Sequence, residues 1–354
     1  MSSTAPTRDV LAGKLPVSLI TGFLGSGKTT LLKRLLRDPG MNRAAVIINE
    51  FGEVGIDHEL VANSSESMTL LSNGCLCCAV RTDLQETMRE LFIKRRAGEV
   101  IDFDRVFIET SGLADPVPVL HTLQTDGMLG AQYRLDCVVT LVDAVNGLRN
   151  LDDAPEAAKQ AAVADRIVIT KSDIAPPAAV AELEARLQQM NPYAARMIAV
   201  NGEVDVAFLR DVGPRSTRDA KGIDRWLSPS GETRPEGAYL GERVRAGAHD
   251  ASIRSFCLWF DKPFTWDSFS AAVQVLTSLR GSDLLRVKGL VNVDGERGPV
   301  VVQGAQHVFH PPVTLEVWPS DDRRSRIVFI GRNLSRESVA SLFAAVGALS
   351  APNS

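Results

Sequence analysis

The feature that most constrains the fold of this chain is a glycine-rich segment, Gly22-Phe23-Leu24-Gly25-Ser26-Gly27-Lys28-Thr29. It follows a short apolar run typical of a strand and precedes a stretch typical of a helix, which is the context of a phosphate-binding P-loop. Glycines let backbone N–H groups curl around phosphate oxygens, and the helix N-terminus adds partial positive charge. The segment therefore predicts a nucleoside triphosphate site, contacted by Gly22, Gly25, Ser26, Gly27, Lys28, Thr29 and Thr30.

A second motif, Phe107-Ile108-Glu109-Thr110-Ser111-Gly112, places an acid at the end of a predicted strand and a glycine three residues later. P-loop proteins hold Mg²⁺ and sense the γ-phosphate with such a segment. We expect the Lys28 amine to reach the β- and γ-phosphates, and Thr29 and Glu109 to hold Mg²⁺. Gly112 is the candidate γ-phosphate sensor, and Lys28 and Glu109 are candidate catalytic residues.

A third motif, Thr170-Lys171-Ser172-Asp173, also follows a predicted strand. A carboxylate there can accept hydrogen bonds from N1–H and N2–H₂ of guanine, a donor pair that adenine lacks. Asp173 therefore favours GTP over ATP, and the aliphatic stem of Lys171 can cover the base. The alternative is an exposed turn with ordinary charges.

The segment after the second predicted strand, residues 49–57, is polar and contains glycine. A nucleotide-dependent switch loop would lie at this point of the chain. Its acids, Glu50, Glu53 and Asp57, are candidates for contact with Mg²⁺, zinc or the attacking water, and Asp57 is the third candidate catalytic residue. The alternative is a solvated acidic loop.

Three of the five cysteines, Cys75, Cys77 and Cys78, lie within four positions. Three thiols this close make a soft site suited to Zn²⁺ or another thiophilic ion. The fourth ligand stays open among Glu53, His58 and His121, and a redox pair or buried small side chains remain as alternatives. Four other residues are expected to be structural, namely Cys137, Cys257, His307 and His310.

The alternation of apolar runs and amphipathic stretches predicts an α/β fold, a parallel sheet with helices on both faces. Strands are expected at 44–49, 68–72 and 166–170, and helices at 155–163 and 177–190. Turn-rich composition indicates a linker at 211–250, and a small α+β domain follows. The predicted organisation is a flexible arm at 1–14, a P-loop domain at 15–210, that linker, and a C-terminal domain at 251–348.

The net charge of −4 argues against a protein that coats nucleic acid or lies on a membrane surface. The N-terminal residues lack the apolar region of a secretory signal, and no stretch approaches the roughly 18 apolar residues of a membrane span. We therefore expect a cytoplasmic protein with no nucleic-acid or membrane partner.

The order of motifs GFLGSGKTT, INEFGEVGID, LSNGCLCC, IETSGLADP, TLVDA and TKSD resembles the CobW-type GTPases, which are related to the hydrogenase and urease nickel-insertion GTPases. Segments 285–289 and 326–331 resemble the CobW C-terminal domain. The resemblance implies a GTPase that carries Zn²⁺ on Cys75, Cys77 and Cys78, releases it on GTP hydrolysis and delivers it to client metalloproteins. The sequence leaves open whether the protein forms a homodimer.

Two other functions remain as alternatives, a cobalt carrier for cobalamin synthesis and a non-catalytic GTP-dependent metal sensor or binding module. The chain also departs from the family pattern. Thr170 stands where GTPases often have Asn, and Ile48 stands where some members have an acid. The His-rich tract of several members is absent from the sequence, which argues against bulk metal storage.

Overall fold

The computed structural model describes residues 9–49, 68–70, 76–80, 83–200, 203–227 and 253–349. Eight strands form the first sheet: β1 Leu15–Gly22, β2 Ala44–Asn49, β3 Met68–Leu70, β4 Leu76–Val80, β5 Arg105–Thr110, β6 Tyr133–Asp143, β7 Arg166–Thr170 and β8 Ala195–Ile198. Their order is β3-β4-β2-β5-β1-β6-β7-β8. All neighbours are parallel except β3 and β4, so the predicted parallel sheet is confirmed with one antiparallel edge strand.

Nine helices accompany this sheet in the described residues: α1 Lys28–Leu35, α2 Leu84–Ala97, α3 Val117–Thr125, α4 Gly127–Gln132, α5 Gly147–Asp153, α6 Pro155–Val163, α7 Pro177–Met190, α8 Val206–Leu209 and α9 Ala220–Leu227. A short 3₁₀ turn lies at Pro39–Met41. Proline stands at the start of both α6 and α7, where its missing N–H costs nothing.

Both faces of the sheet are buried, because successive side chains of a strand point to opposite faces. Leu19 of β1 packs in a core with α2, α3, α6 and α7. Ile20, the next residue, packs in a second core with α1 and α9. Helices therefore cover both faces, as predicted for strands that are apolar throughout.

The C-terminal domain is built on an antiparallel sheet of β9 Ile253–Phe260, β10 Leu284–Val291, β11 Val300–Ala305, β12 Val308–Phe309, β13 Val313–Thr314 and β14 Ser325–Arg332. The strand order is β12-β11-β10-β14-β9, and β13 pairs with β11. Two helices, α10 Trp266–Arg280 and α11 Arg336–Leu349, pack on one face, and a 3₁₀ turn at Gly281–Asp283 leads into β10. The predicted α+β domain is thereby confirmed, and its core is rich in phenylalanine.

The other face of this sheet packs on the P-loop domain. Val328 and Ile330 of β14 belong to the same core as the alanines of α6. The Asp165 carboxylate, between α6 and β7, accepts hydrogen bonds from the Arg286 guanidinium at 3.2 and 3.1 Å and from the Lys288 amine. A buried ion cluster therefore joins the two domains.

The segment predicted to be a linker contains ordered structure. Helix α9 lies within it, and Trp226 and Leu227 at its end are buried. The Asp211 and Gly213 amides donate to the Asp136 carboxylate at 2.7 and 3.1 Å. Among the described residues, no helix is both long and apolar enough to cross a membrane.

Candidate nucleotide-binding site

The glycine-rich segment forms the turn between β1 and α1, as its sequence context predicts. Gly22 has a φ of +146°, and a Cβ there would lie 2.5 Å from the Leu141 carbonyl oxygen and 2.7 Å from Ser26 Oγ. Gly27 precedes α1 with a φ of +92°. A side chain at Gly22 would therefore clash with Leu141 and Ser26 and distort the turn. The backbone amides of this turn are the groups that can hold phosphate.

Lys28 lies across the loop with little exposure to solvent. Its Nζ donates to the Gly22 carbonyl at 2.8 Å and to the Phe23 carbonyl at 3.3 Å. The positively charged amine of Lys28 therefore already points into the P-loop. Phosphate oxygens would compete with these two carbonyls for the amine. Thr30 is exposed in the first turn of α1.

The two residues predicted to hold Mg²⁺ lie side by side, although they are far apart in the chain. The Thr29 hydroxyl donates to Glu109 Oε1 at 3.4 Å, and Glu109 is buried at the end of β5. The next residue, Thr110, donates to Thr21 Oγ1 at 2.8 Å and ties β5 to β1. A hydroxyl and a carboxylate are oxygen ligands that suit Mg²⁺, so the donor set fits this ion.

Gly112 lies directly against the P-loop. A Cβ on Gly112 would be 2.8 Å from the Leu24 backbone nitrogen, so only glycine allows this approach. The Gly112 carbonyl accepts a hydrogen bond from Gln160 Nε2 at 3.1 Å. We call residues 112–115, which begin with this predicted sensor, the sensor segment. It is in contact with the P-loop on one side and with α6 on the other.

The third motif reaches the same edge of the sheet. The Thr170 hydroxyl donates to the Ser26 carbonyl at 2.8 Å and so links β7 to the P-loop. Lys171 has a φ of +59°, a strained conformation for a residue with a side chain, and its amine donates to Asp143 at 2.6 Å. Asp173 is exposed at this edge, where its carboxylate is accessible.

Asp143, at the end of β6, has a role in the site that the sequence interpretation did not assign. Burial opposes its charge, but hydrogen bonds from Lys171, the Val145 amide and Asn146 hold the pKa of this carboxyl below its ordinary value. The charged carboxylate thereby positions the Lys171 side chain. A signal was present, because an acid at the carboxyl end of a parallel strand lies at the edge where α/β proteins bind ligands.

The cysteine motif lies partly in a strand rather than wholly in a loop. Cys77 and Cys78 belong to β4, where they are level with Val46 and Ile47 of β2 and with Thr69 and Met68 of β3. Cys75 lies outside the described part of the chain, as do the acids of the predicted switch loop, Glu50, Glu53 and Asp57, and the candidate zinc ligand His58. The zinc set and the roles of Glu53 and Asp57 stay predictions.

Two histidines and two cysteines have structural surroundings. His121 Nε2 donates to the Ala305 carbonyl of the C-terminal domain at 2.9 Å. Burial, with Arg286 and Lys14 nearby, lowers the pKa of His310 to about 3. Burial raises the pKa of the Cys137 thiol to about 12 and that of Cys257 to about 11. Within the described residues, no group of three or more potential ligands is placed to hold a metal ion.

Comparison with known families identifies both parts of the chain. Residues 16–198 match the CobW/HypB/UreG nucleotide-binding domain. The chain belongs to this family. Residues 253–347 match the cobalamin synthesis protein CobW C-terminal domain, so the family resemblance drawn from the motifs is confirmed over both domains.

Characterised relatives are similar to this protein over nearly their whole length. The zinc chaperone YjiA of Escherichia coli is 32% identical over 93% of this chain and 98% of its own. The zinc chaperone CobW of Pseudomonas aeruginosa is 31% identical over 93% of this chain and 90% of its own. The crystal structure of Zn(II)-bound YjiA GTPase superposes with a TM-score of 0.72, at 30% identity, over 94% of this chain and 99% of that one.

Proposed function

We propose that this protein is a GTPase that binds Zn²⁺ through its Cys-x-Cys-Cys motif and delivers it to client metalloproteins. The relatives named zinc chaperones, which align along nearly the whole chain, support the zinc cargo. The yeast relative, 29% identical over 93% of this chain, is named a zinc-regulated GTPase metalloprotein activator and supports the client role.

One structural observation carries the proposal, the register between the cysteine strand and the nucleotide strand. Cys78 is level with Ile47 of β2, and Ile47 is level with Ile108 of β5, the residue before Glu109. Two strand spacings of about 4.8 Å put the backbones of Cys78 and Ile108 about 10 Å apart. A structural change at Glu109 in β5 can therefore be transmitted to the cysteine strand β4 through the single intervening strand β2.

The proposed cycle uses this proximity. GTP binding holds the segment around Gly112 in one conformation and stabilises one arrangement of the three thiolates. Hydrolysis changes both, and the zinc ion leaves. A change of about 10⁴-fold in zinc retention requires about 5.5 kcal/mol of differential binding between the two states. Thiols must lose protons to bind zinc, so zinc affinity should fall in acid.

Site roles follow the sequence prediction. Lys28, Thr29 and the loop amides bind the phosphates, Glu109 acts on the Mg²⁺ side, and Asp173 selects guanine. A reduced thiol cluster also fits a cytoplasmic protein, since disulfides persist mainly in oxidising compartments. A homodimer would be detected by light scattering of the purified protein with GDP and with a GTP analogue.

Zinc stoichiometry and GTP turnover of the full chain test the proposal. Cys77→Ala should lower bound zinc below the wild-type stoichiometry, while Cys257→Ala, a matched cysteine outside the motif, should leave it unchanged. Lys28→Ala should abolish turnover and keep the fold. Equal zinc binding by Cys77→Ala and wild type would contradict the thiol assignment.

The same preparations separate the alternatives. A protein with no GTP turnover under any metal or client condition would be a nucleotide-dependent sensor rather than an enzyme. Competition between Zn²⁺ and Co²⁺ for the apoprotein ranks the metals, and tighter Co²⁺ binding at cellular metal levels would favour the cobalt carrier.

A further inference from the structure

Helix α6 is held at both of its ends by the C-terminal domain. At its first residue, the Pro155 carbonyl accepts a hydrogen bond from Arg332 Nη2 of β14 at 3.2 Å. Two residues beyond its end, the Asp165 carboxylate binds Arg286 and Lys288 of β10. A displacement of α6 would therefore move two strands of the antiparallel sheet.

The middle of α6 holds the predicted γ-phosphate sensor. Gln160 is completely buried, and its Nε2 donates to the Gly112 carbonyl at 3.1 Å and to the Ala114 carbonyl at 3.0 Å. The preceding residue, Lys159, forms an ion pair with Asp115. Two adjacent residues of α6 thus bind the segment that follows Glu109.

The Gln160 amide is kept for these two donor contacts. Its Oε1 is buried and has no hydrogen-bond partner within the described part of the chain. Burying such an oxygen destabilises a fold, and an apolar side chain of similar volume would avoid that cost. Volume alone does not explain glutamine at this position, whereas the bonds to Gly112 and Ala114 do.

On its other side, the sensor segment touches the P-loop. Gly112 approaches the Leu24 backbone so closely that a Cβ would be 2.9 Å from the Leu24 Cα. A γ-phosphate bound in the loop would draw on the Gly112 amide, and the carbonyls of Gly112 and Ala114 would move with it. A continuous set of contacts therefore runs from the loop through Gln160 and α6 to β10 and β14.

We propose that Gln160 is a positioning residue that couples the nucleotide state at Gly112 to the C-terminal domain through α6. The coupling is reciprocal, so a change in the C-terminal domain alters the preference for GTP over GDP. The inference rests on the GTP-binding part of the proposed function and is independent of zinc.

The test measures the Kd of full-length protein for GDP and for a non-hydrolysable GTP analogue, both with Mg²⁺. Gln160→Met removes the amide at similar volume. It should lower the preference for the analogue over GDP about tenfold, within the range of ordinary allosteric couplings, while GDP affinity stays the same. Hydrogen exchange in β10 and β14 should differ between the two nucleotides in wild type and not in the variant.

Asn191 supplies a matched control. It too is fully buried, its Nδ2 donates to three carbonyls at the end of α6, and its Oδ1 has no partner in the described structure. It makes no contact with the sensor segment in these bonds. Asn191→Leu leaves the bonds of Gln160 to Gly112 and Ala114 intact, so it should lose stability with a smaller change in the analogue-to-GDP preference than Gln160→Met.

A double-mutant cycle tests the route to the C-terminal domain. Arg332→Ala should lower the preference several-fold in wild type and cause no further loss in Gln160→Met. If Gln160→Met does not fold, Lys159→Met, at the more exposed ion pair with Asp115, should shift the preference in the same direction by a smaller factor.

Three results would overturn the inference: an unchanged preference in folded Gln160→Met, an equal loss in Asn191→Leu, or additive effects of Arg332→Ala and Gln160→Met. Each can be seen in a protein that binds GTP and zinc normally. Failure of the proposed function would appear instead as absent GTP binding or turnover, or as zinc stoichiometry that does not depend on Cys77.

Discussion

The buried ion cluster between the domains allows a prediction of how much stability is lost when the charge of Asp165 is removed. Asp165 is 2% exposed, Arg286 3% and Lys288 7%, so a carboxylate, a guanidinium and an amine are withdrawn from water together. Burial lowers the pKa of the Lys288 amine to about 7. The carboxylate also accepts the Val138 amide at 2.8 Å. Asp165→Asn keeps the shape but removes the negative charge. The Arg286 guanidinium then lies buried without it, and the Lys288 amine either stays buried and charged or gives up its proton.

The expected loss of stability is large. Breaking a buried ion pair by removing one partner costs about 3–5 kcal/mol, because the remaining charge stays desolvated. The free energy of unfolding of a domain is about 5–15 kcal/mol, so Asp165→Asn should remove a substantial part of it. Urea unfolding followed by tryptophan fluorescence measures this loss, and Trp226 is close enough to report it, with Lys288 Nζ 5.0 Å from its ring centroid.

Lys288→Met is the control, because it removes the excess cation and leaves a balanced pair of Asp165 and Arg286. The lost cation–π contact costs about 0.5–2 kcal/mol, and the avoided desolvation of the amine offsets it. We expect a change within about 1 kcal/mol. A loss below about 1 kcal/mol in Asp165→Asn, or an equal loss in both variants, would refute the charge count.

Three further predictions follow from the site and the core. Thr170→Val should weaken GTP binding about fivefold in calorimetry by losing the bond to the Ser26 carbonyl, and Thr170→Ser should retain it. Gly22→Ala should reduce GTP affinity at least about tenfold with circular dichroism unchanged, because its Cβ would meet the Leu141 carbonyl. The pKa of His310 is about 3 in the folded protein and 6.5 ordinarily. Between these two pH values the unfolded chain therefore binds one proton more than the folded chain. Stability should therefore fall in acid by at most about 1.4 kcal/mol per pH unit, and His310→Leu should lessen that slope in unfolding curves.

Some elements could be predicted from the sequence because their signals are local. Strand β7 and helices α6 and α7 have the predicted bounds, since an apolar run or a proline marks each start. Strand β4 was missed. Its five residues, Leu76–Val80, include two cysteines and an alanine, which favour a strand only weakly, and its pairing with β2 is a property of the sheet.

The site shows the same division. The P-loop and the guanine motif are short segments whose spacing carries their geometry, so their meeting at one edge follows from a parallel sheet. The bond between Thr170 and the Ser26 carbonyl joins residues 144 positions apart. No local sequence pattern could have predicted that bond. Thr170 stands where GTPases often have Asn, and its hydroxyl supplies a link to the P-loop from this position.

Contacts of this long-range kind are also the ones that connect the nucleotide to the rest of the molecule. Gln160 lies in the alanine-rich stretch Pro155–Val163, and Asp165 lies just after it, next to an apolar strand. Gln160 is a fully buried polar residue in a helix of alanines, and Asp165 is a buried acid in the turn before the strand. A polar residue in such a place destabilises the fold unless it is paired, so it points to a partner elsewhere in the chain. Here the partners are the sensor segment for Gln160 and the C-terminal domain for Asp165. The helix between the two domains is therefore fixed by polar contacts on both sides, and α6 has the geometry of a coupling element rather than of a passive support.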